Sequence, residues 1–291
     1  MLFFKKTTAY LKSFCKINVL LKIVRKRDDG YHELEMVNLP LELHDAIEIS
    51  LFPNSEDTFV TTDDIALGSL HENLCEKSVK ALQKAFGFQD NFNIKIHKEI
   101  PFAAGLGGGS SNAAAVIRGV NDLLKLKASQ EKLLQIAKTI GADVPFFFYN
   151  VPALVTGIGE NITPIYPKNS YYCLLVKPKR GLHTVDVFNL SDSCPKLEID
   201  AQRMIDALES GDEDAIAAAL GNDLLGPALQ LAPEIGNIIK KLKDFGLKIV
   251  NMTGSGSTVF ALSNDLKKLK EAAKKIDNDD VTVIITRTLS L

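Results

Sequence analysis

The spacing of apolar positions changes several times along the chain, and each change marks an element. Residues 16–24 and 46–51 are rich in β-branched and aliphatic side chains and 92–97 alternates apolar with polar, so all three are expected as strands. Between them, 72–86 carries the spacing of an amphipathic helix that closes at Gly87. Residues 112–126, small and aliphatic at helical spacing, and 130–140, stopped by Gly141, are predicted as two further helices. Beyond Pro152 come more strands, then helices at 199–208, 213–220 and 233–245. Strands at 246–251 and 259–262 flank a glycine turn and precede a closing helix and strand. Strands that cluster ahead of helices, without repeated βαβ units, predict an α+β fold. A boundary near residue 160 is expected, giving domains 1–160 and 161–291, with no internal repeat or low-complexity tract.

Composition narrows the partners more than the fold. The 291 residues are 46% apolar and 24% charged, enough for one large core or two smaller ones. With 34 basic and 36 acidic residues the net charge is −2, which leaves no global footprint for nucleic acid, so any anion site is local. Eight Lys or Arg residues nevertheless precede the first acid, Asp28, either as a solvated strand pair or as cations facing a polyanion. Cys15, Cys75, Cys173 and Cys194 are widely spaced without a CxxC pair, which suggests neither a zinc cage nor a disulfide framework and fits a reducing compartment. The opening runs apolar and then Lys5-Lys6, the reverse of a secretory leader. The longest apolar stretch, 144–159, is broken by Pro145, Asn150, Pro152 and Gly157 and falls short of a membrane span. A soluble, cytoplasmic protein without membrane or nucleic-acid partners is expected.

Chemistry concentrates in the loop Gly105-Leu106-Gly107-Gly108-Gly109-Ser110-Ser111. Four glycines in five positions let successive N–H groups point into one concavity, and Ser110, Ser111 and Asn112 offer caps and amides at the positive end of the helix that follows. Such a helix start favours phosphate, although a flexible strand-to-helix turn needs glycines too. No Gly-Lys-Ser/Thr string occurs, so this is not a Walker A loop, and the lysine that meets the phosphate must come from elsewhere, Lys16 or Lys98. Asp244-Phe245-Gly246 lacks the other protein-kinase signatures and is read as a helix end with Gly246 beyond the cap. The second glycine turn, 252–257, closes a hairpin or lines phosphates from another side. His32-Glu33 is not a zinc motif, because Met36 stands where the second histidine would be.

Three strings in order, S-F-C-K-I-N at 13–18, P-F-A-A-G-L-G-G-G-S-S-N at 101–112 and M-T-G-S-G-S at 252–257, resemble the GHMP kinase superfamily, named for galactokinase, homoserine kinase, mevalonate kinase and phosphomevalonate kinase. Gly30-Tyr31-His32-Glu33 and G-A-D-V-P-F-F at 141–147 extend the resemblance over essentially the whole chain. It implies a two-domain GHMP kinase fold, a ribosomal protein S5 domain 2-like N-terminal domain plus a C-terminal α/β domain. ATP with Mg2+ is implied on Asn73, Pro101, Ala104, Gly105, Leu106, Gly107, Gly108, Gly109, Ser110, Ser111, Gly254 and Ser255, with Ser111 a magnesium ligand. Asn73 serves equally well as a helix N-cap.

By the same resemblance Lys16 and Asp143 are catalytic. Asp143 would accept the hydroxyl proton, where local pattern alone reads a capping Asp at a helix-to-strand junction. Lys16 sits on an apolar strand, where an inward ammonium needs a partner, and an ion pair with Asp143 would provide one. Asn18 lies two residues on and so on the same strand face, where its amide would orient acceptor hydroxyls. Tyr31 and His32, delivered by the turn at Asp28-Asp29-Gly30, together with Thr184 and Phe188, are implied to hold the acceptor, a cytidine diphosphate-linked methylerythritol. Phe188 by itself reads as core. The expected partner is thus a small molecule, and the expected assembly a monomer or weak homodimer. Two departures stand out, Phe14-Cys15 in place of the usual Pro-Ala and the segment 38–43. The alternatives are a kinase for another small alcohol, such as mevalonate or homoserine, or a nucleotide-binding protein without turnover.

Overall fold

The computed structural model describes residues 7–63 and 73–289. The basic opening at Lys5-Lys6 and the predicted helix start at 72 lie outside the described residues. The chain runs β1 (Thr8–Lys26), β2 (His32–Leu51), β3 (Phe59–Thr62), α1 (Leu74–Phe86), β4 (Phe92–His97), α2 (Gly108–Leu124), α3 (Gln130–Ile140), α4 (Phe146–Tyr149), β5 (Ala153–Gly157), β6 (Asn161–Pro164) and β7 (Tyr172–Pro178). It continues through α5 (Thr184–Ser191), α6 (Ala201–Ser210), α7 (Glu213–Ala219), β8 (Gly221–Asn222), α8 (Leu225–Leu231), α9 (Glu234–Asp244), β9 (Ile249–Met252), β10 (Val259–Ser263), α10 (Leu266–Ile276) and β11 (Val281–Arg287). No helix among the described residues is long and apolar enough to cross a membrane.

Two compact units form, each gathered from separate stretches: 1–14, 44–100 and 107–150 in the first, and 15–43, 101–106 and 151–291 in the second. In the first, the end of β2 pairs antiparallel with β4, Ile47 opposite Ile96 and Ile49 opposite Ile94, and β3 pairs parallel with β4. Ile47, Ile49, Phe92, Ile94 and Ile96 are all buried, whereas Glu48 and Lys95, opposite each other on the other face, form an ion pair at 3.8 Å. This is the period of two that the sequence predicted for 92–97. The helices α1, α2 and α3 pack on one another, with Val79 and Leu82 of α1 and Val116 and Ile117 of α2 fully enclosed.

In the second unit β5 runs antiparallel to the start of β2, Met36 opposite Val155, and turns back into β6, while the short β8 pairs parallel with β1 at Leu20 and Leu21. A separate antiparallel sheet has the order β11-β7-β10-β9, against which α9 and α10 pack. The mixture is the α+β architecture expected.

The strands exceed the sequence reading. Predicted at 16–24 and 46–51, they reach 19 and 20 residues, because Met36 to Leu41 are enclosed on both faces and show no alternation to read. Helix α2 begins four residues earlier than predicted, since Gly107 takes a left-handed φ of 72° and starts the helix inside the glycine loop. Asp143 lies in a turn between α3 and α4, a helix-to-helix junction where a helix-to-strand one was expected. Gly246 at φ 77° ends α9 beyond its cap as predicted, its N–H donating to Lys243 O.

Lys98, one of the two candidate phosphate lysines, is engaged elsewhere in the first unit. The fully buried Asp45 carboxylate accepts its ammonium at 2.5 Å and the N–H groups of Glu99 and Ile100 at 2.9 Å each, which pins the chain just ahead of Pro101. Removing one partner of such a buried pair strands the other charge. Asp45→Ala is therefore expected to lose about 3–5 kcal/mol in urea unfolding of the full chain, and a loss under about 1 kcal/mol would show that these three bonds do not anchor the segment.

Candidate active site

In the second unit the turn between β9 and β10 is closed by Thr253 N–H to Thr258 O and Gly256 N–H to Thr253 O, both 3.0 Å, with Gly254 and Gly256 at positive φ. Hairpin register, Met252 opposite Val259, confirms the hairpin reading of this turn. Gly105, at φ 71°, lies flat against it: a Cβ there would collide with the Thr253 carbonyl oxygen, and one on Gly254 would stand 2.9 Å from Gly105 O. Only backbone fits on either side. Asn222 holds the turn from beneath, its Nδ2 donating to Met252 O at 3.0 Å and Gly254 O at 2.9 Å, while its Oδ1 accepts from Leu224 N–H. Ser255 bonds Thr184 between hydroxyls at 2.9 Å.

Lys16 reaches this region along β1. Its N–H donates to Leu106 O at 3.0 Å, its side chain is 4% exposed, and its ammonium donates to Asn18 Oδ1 at 2.6 Å. Asn18 N–H donates to Thr253 Oγ1 at 3.0 Å, and the Thr253 hydroxyl sits 3.3 Å from Gly105 O, so strand, loop and turn meet at one threonine. Leu106 and Ala104 are buried, whereas Pro101 is half-buried.

The first unit carries the other end of the glycine loop. Gly107 caps α2 without any side-chain bond, so the amides of the first helical turn are left open, contrary to the expectation that Ser110, Ser111 and Asn112 cap them. The buried Ser111 and Asn112 turn to Ser13 instead, at 2.8 and 2.6 Å. Ser13 has one proton, and with it donated to Asn112 Oδ1 the Ser111 hydroxyl must donate to Ser13 Oγ. Gly108 and Gly109 lie within the helix. Asn73 is the N-cap of α1, its Oδ1 accepting from Cys75 N–H at 2.8 Å.

At the other end of β1, His32 stacks on Phe188 with ring centroids 5.0 Å apart, and its Nε2 lies 2.7 Å from Asp192 Oδ1. Lys26 holds the other Asp192 oxygen at 2.5 Å. Phe188 is thus half-buried and packs on the His32 ring rather than only on core. Tyr31 stays 58% exposed beside the Arg27–Asp29 pair. Asp192, Asn222, Thr253 and Ser13 were not among the residues expected. Thr253 and Ser13 at least lie within the strings that carry the family resemblance, but nothing near Asp192 or Asn222 announces a role.

This architecture, with its glycine loop feeding a helix start, is that of the GHMP kinases: residues 73–150 match the GHMP kinases N terminal domain and 204–280 the GHMP kinases C terminal domain. A curated 4-diphosphocytidyl-2-C-methyl-D-erythritol kinase from Pelotomaculum thermopropionicum is 36% identical, the match covering 94% of this chain and 96% of that one. One from a Geobacillus species is 39% identical over 87% of each. The chain belongs to this family of kinases. A crystal structure of 4-(cytidine 5'-diphospho)-2C-methyl-D-erythritol kinase superposes with a TM-score of 0.78 at 28% identity, covering 96% of this chain and 98% of that one. The mevalonate kinase of Methanococcus jannaschii shares the fold, with a TM-score of 0.70 at 15% identity.

Two measurements probe these arrangements. Gly105→Ala should lower stability by about 1–3 kcal/mol through strain at a left-handed position, while Gly109→Ala, helical and only 3.9 Å from Leu74 Cδ1, should not. Thermal unfolding without nucleotide reads both, and equal losses would refute the close approach. The Lys26 ammonium first, and the His32 ring after it, draw the Asp192 carboxyl down to about 2. Because this pKa is depressed, the contribution to stability is present above the ordinary value of 3.8 and is lost as pH falls from there through about 2. The Asp192 13Cγ resonance should titrate near 2, and Lys26→Ala should move its midpoint up toward 3.8. An unmoved midpoint would remove Lys26 as the cause.

Proposed function

We propose that the protein transfers the γ-phosphoryl group of ATP, with Mg2+, to the 2-hydroxyl of 4-diphosphocytidyl-2-C-methyl-D-erythritol. The observation that carries this reading is the buried Lys16, whose backbone N–H meets Leu106 O in the glycine loop and whose ammonium is held by Asn18 Oδ1. The acceptor follows from relatives 36–39% identical that bear the name of that kinase. The stacked His32 and Phe188 rings are flat aromatic surfaces suited to a pyrimidine.

The residues fit a nucleotide. An α2 start free of side-chain caps favours phosphate oxygens. Pro101, Ala104, Gly105, Leu106, Gly107, Gly108, Gly109, Ser110 and Ser111 would hold the phosphates together with Gly254 and Ser255, and Asn73 the purine side. Magnesium would be carried on the phosphates, with the Ser111 hydroxyl as its protein contact. When bound, ATP with its magnesium supplies the transferred group and neutralises part of its charge.

In this reading the Asp143 carboxylate takes the acceptor's hydroxyl proton and directs its oxygen. Lys16 offsets the charge that develops on the moving group. His32, Tyr31, Phe188 and Thr184 seat the cytidine diphosphate end, so that much of the binding energy comes from parts of the acceptor remote from the reacting hydroxyl. The reaction would run in the cytoplasm on a monomer or weak homodimer.

A 31P NMR assay over a panel of alcohols tests the assignment. The cytidylylated acceptor should be the one consumed, and Asp143→Asn should slow it by about 10²–10⁴-fold. Turnover of mevalonate or homoserine in its place would overturn the acceptor, and an unchanged rate in Asp143→Asn would remove the carboxylate from the mechanism.

A further inference from the structure

Asn18 was expected to orient acceptor hydroxyls, but both ends of its amide are engaged inside the second unit. It is 1% exposed, its Oδ1 accepts from the Lys16 ammonium at 2.6 Å, and its Nδ2 donates to Asn38 Oδ1 at 2.6 Å, with Met36 Sδ at 3.4 Å beside it. Asn38 is also 1% exposed and stands on β2.

Lysine fixes the orientation of both amides. An ammonium has donors only, so the Asn18 atom it meets must be oxygen. The other end of that amide is then a donor, and the Asn38 atom facing it must also be oxygen. Conversely, an acceptor at residue 38 penalises the flipped Asn18, which would set two N–H groups against the ammonium. Each bond selects the other, and buried amide chains of this kind hold their geometry because every alternative leaves a polar group unpaired.

We propose that Asn38 is a positioning residue for phosphoryl transfer: its side-chain carbonyl turns the Asn18 amide so that the Asn18 carbonyl holds the Lys16 ammonium in place. Asn18 then also acts through Lys16 rather than on the acceptor. The Asn18 backbone N–H on Thr253 Oγ1 ties the same residue to the glycine turn, so the position of the ammonium is referenced to the backbone proposed to hold phosphate. This inference rests on the phosphoryl-transfer reading above and would hold for any alcohol acceptor.

The test is a double-mutant cycle with Asn38→Leu and Asn18→Leu in the full chain, Leu keeping the shape of Asn without its hydrogen bonds. Asn38→Leu should lower kcat by about 10–100-fold, the scale of a catalytic group misplaced by an ångström, with the KM for ATP within about twofold. Adding it to Asn18→Leu should cost nothing further, because both break one chain. Asn38→Asp, which keeps an oxygen facing Asn18, should recover most of the rate. Independent losses that multiply, or an Asn38→Leu enzyme within twofold of the parent, would overturn the proposal.

A second readout does not depend on the acceptor. In protein labelled with 15N-lysine, the Lys16 ammonium signal should be resolved in the parent and broadened by exchange in Asn38→Leu, in a protein whose thermal transition remains cooperative. An equally sharp signal in both would sink the positioning role even if the acceptor were assigned wrongly. If the cytidylylated acceptor failed while this signal behaved as expected, only the acceptor would fall.

Discussion

The arrangement turns on a lysine ammonium that folding removes from water. A charge at 4% exposure is tolerable only where its donors are met, and Lys16 sits on a strand flanked by the fully enclosed Cys15 and Ile17. Asn18 on the same strand accepts from it, and Asn18 is itself held by residues far apart in sequence, Asn38 on the next strand and Thr253 more than two hundred positions away. A site assembled in this way is rigid before any ligand arrives, because loosening one partner exposes the others to the same desolvation penalty. That rigidity is what catalysis by positioning and charge stabilisation asks of a protein.

Glycine matters here because the neighbours are backbone. Gly105 and Gly254 face each other so closely that a methyl group on either would meet a carbonyl oxygen. Asn222 then supports the turn through two carbonyls, and the Thr253 hydroxyl bridges to the Gly105 carbonyl. The loop's conformational freedom, a liability in the unfolded chain, is used to bring two main chains together. Flexibility alone does not explain why glycine stands at 105; close approach at a positive φ does. At 109 the same residue type lies in a helix with room around it, so the four glycines of the loop do not share one reason.

Legibility in the sequence followed the locality of each cause. Helix ends at Gly87 and Gly246, the α+β mixture, the glycine loop, the β9–β10 hairpin and the strand that Lys16 occupies were readable, since each depends on residues within a few positions. The length of β2 was not, because burial on both faces erases the alternation that marks a strand. Lys98 looked as suitable as Lys16 until Asp45, more than fifty residues earlier, was seen to hold it. The capping role given to Ser111 and Asn112 failed for the same reason, as Ser13 lies about a hundred residues away along the chain and claims both side chains.

The same distinction separates the two rings of Tyr31-His32, which local sequence treats alike. His32 is held before binding: it is stacked on Phe188, and its Nε2 must carry a proton because the ionised Asp192 carboxylate can only accept. Its orientation is therefore settled during folding, at a cost in side-chain entropy already met when a ligand arrives. Tyr31 is exposed, and among the described residues its bonds to Arg27 and Asp29 run through its backbone. In the proposed reading the two rings thus divide the work on the base. The histidine would offer the base its other ring nitrogen, Nδ1, since Nε2 is taken by Asp192, and the tyrosine would stack on that base. Discrimination placed on the rigid partner is the more effective arrangement, since a flexible reader can rotate to satisfy the wrong base whereas a pinned imidazole leaves it unpaired.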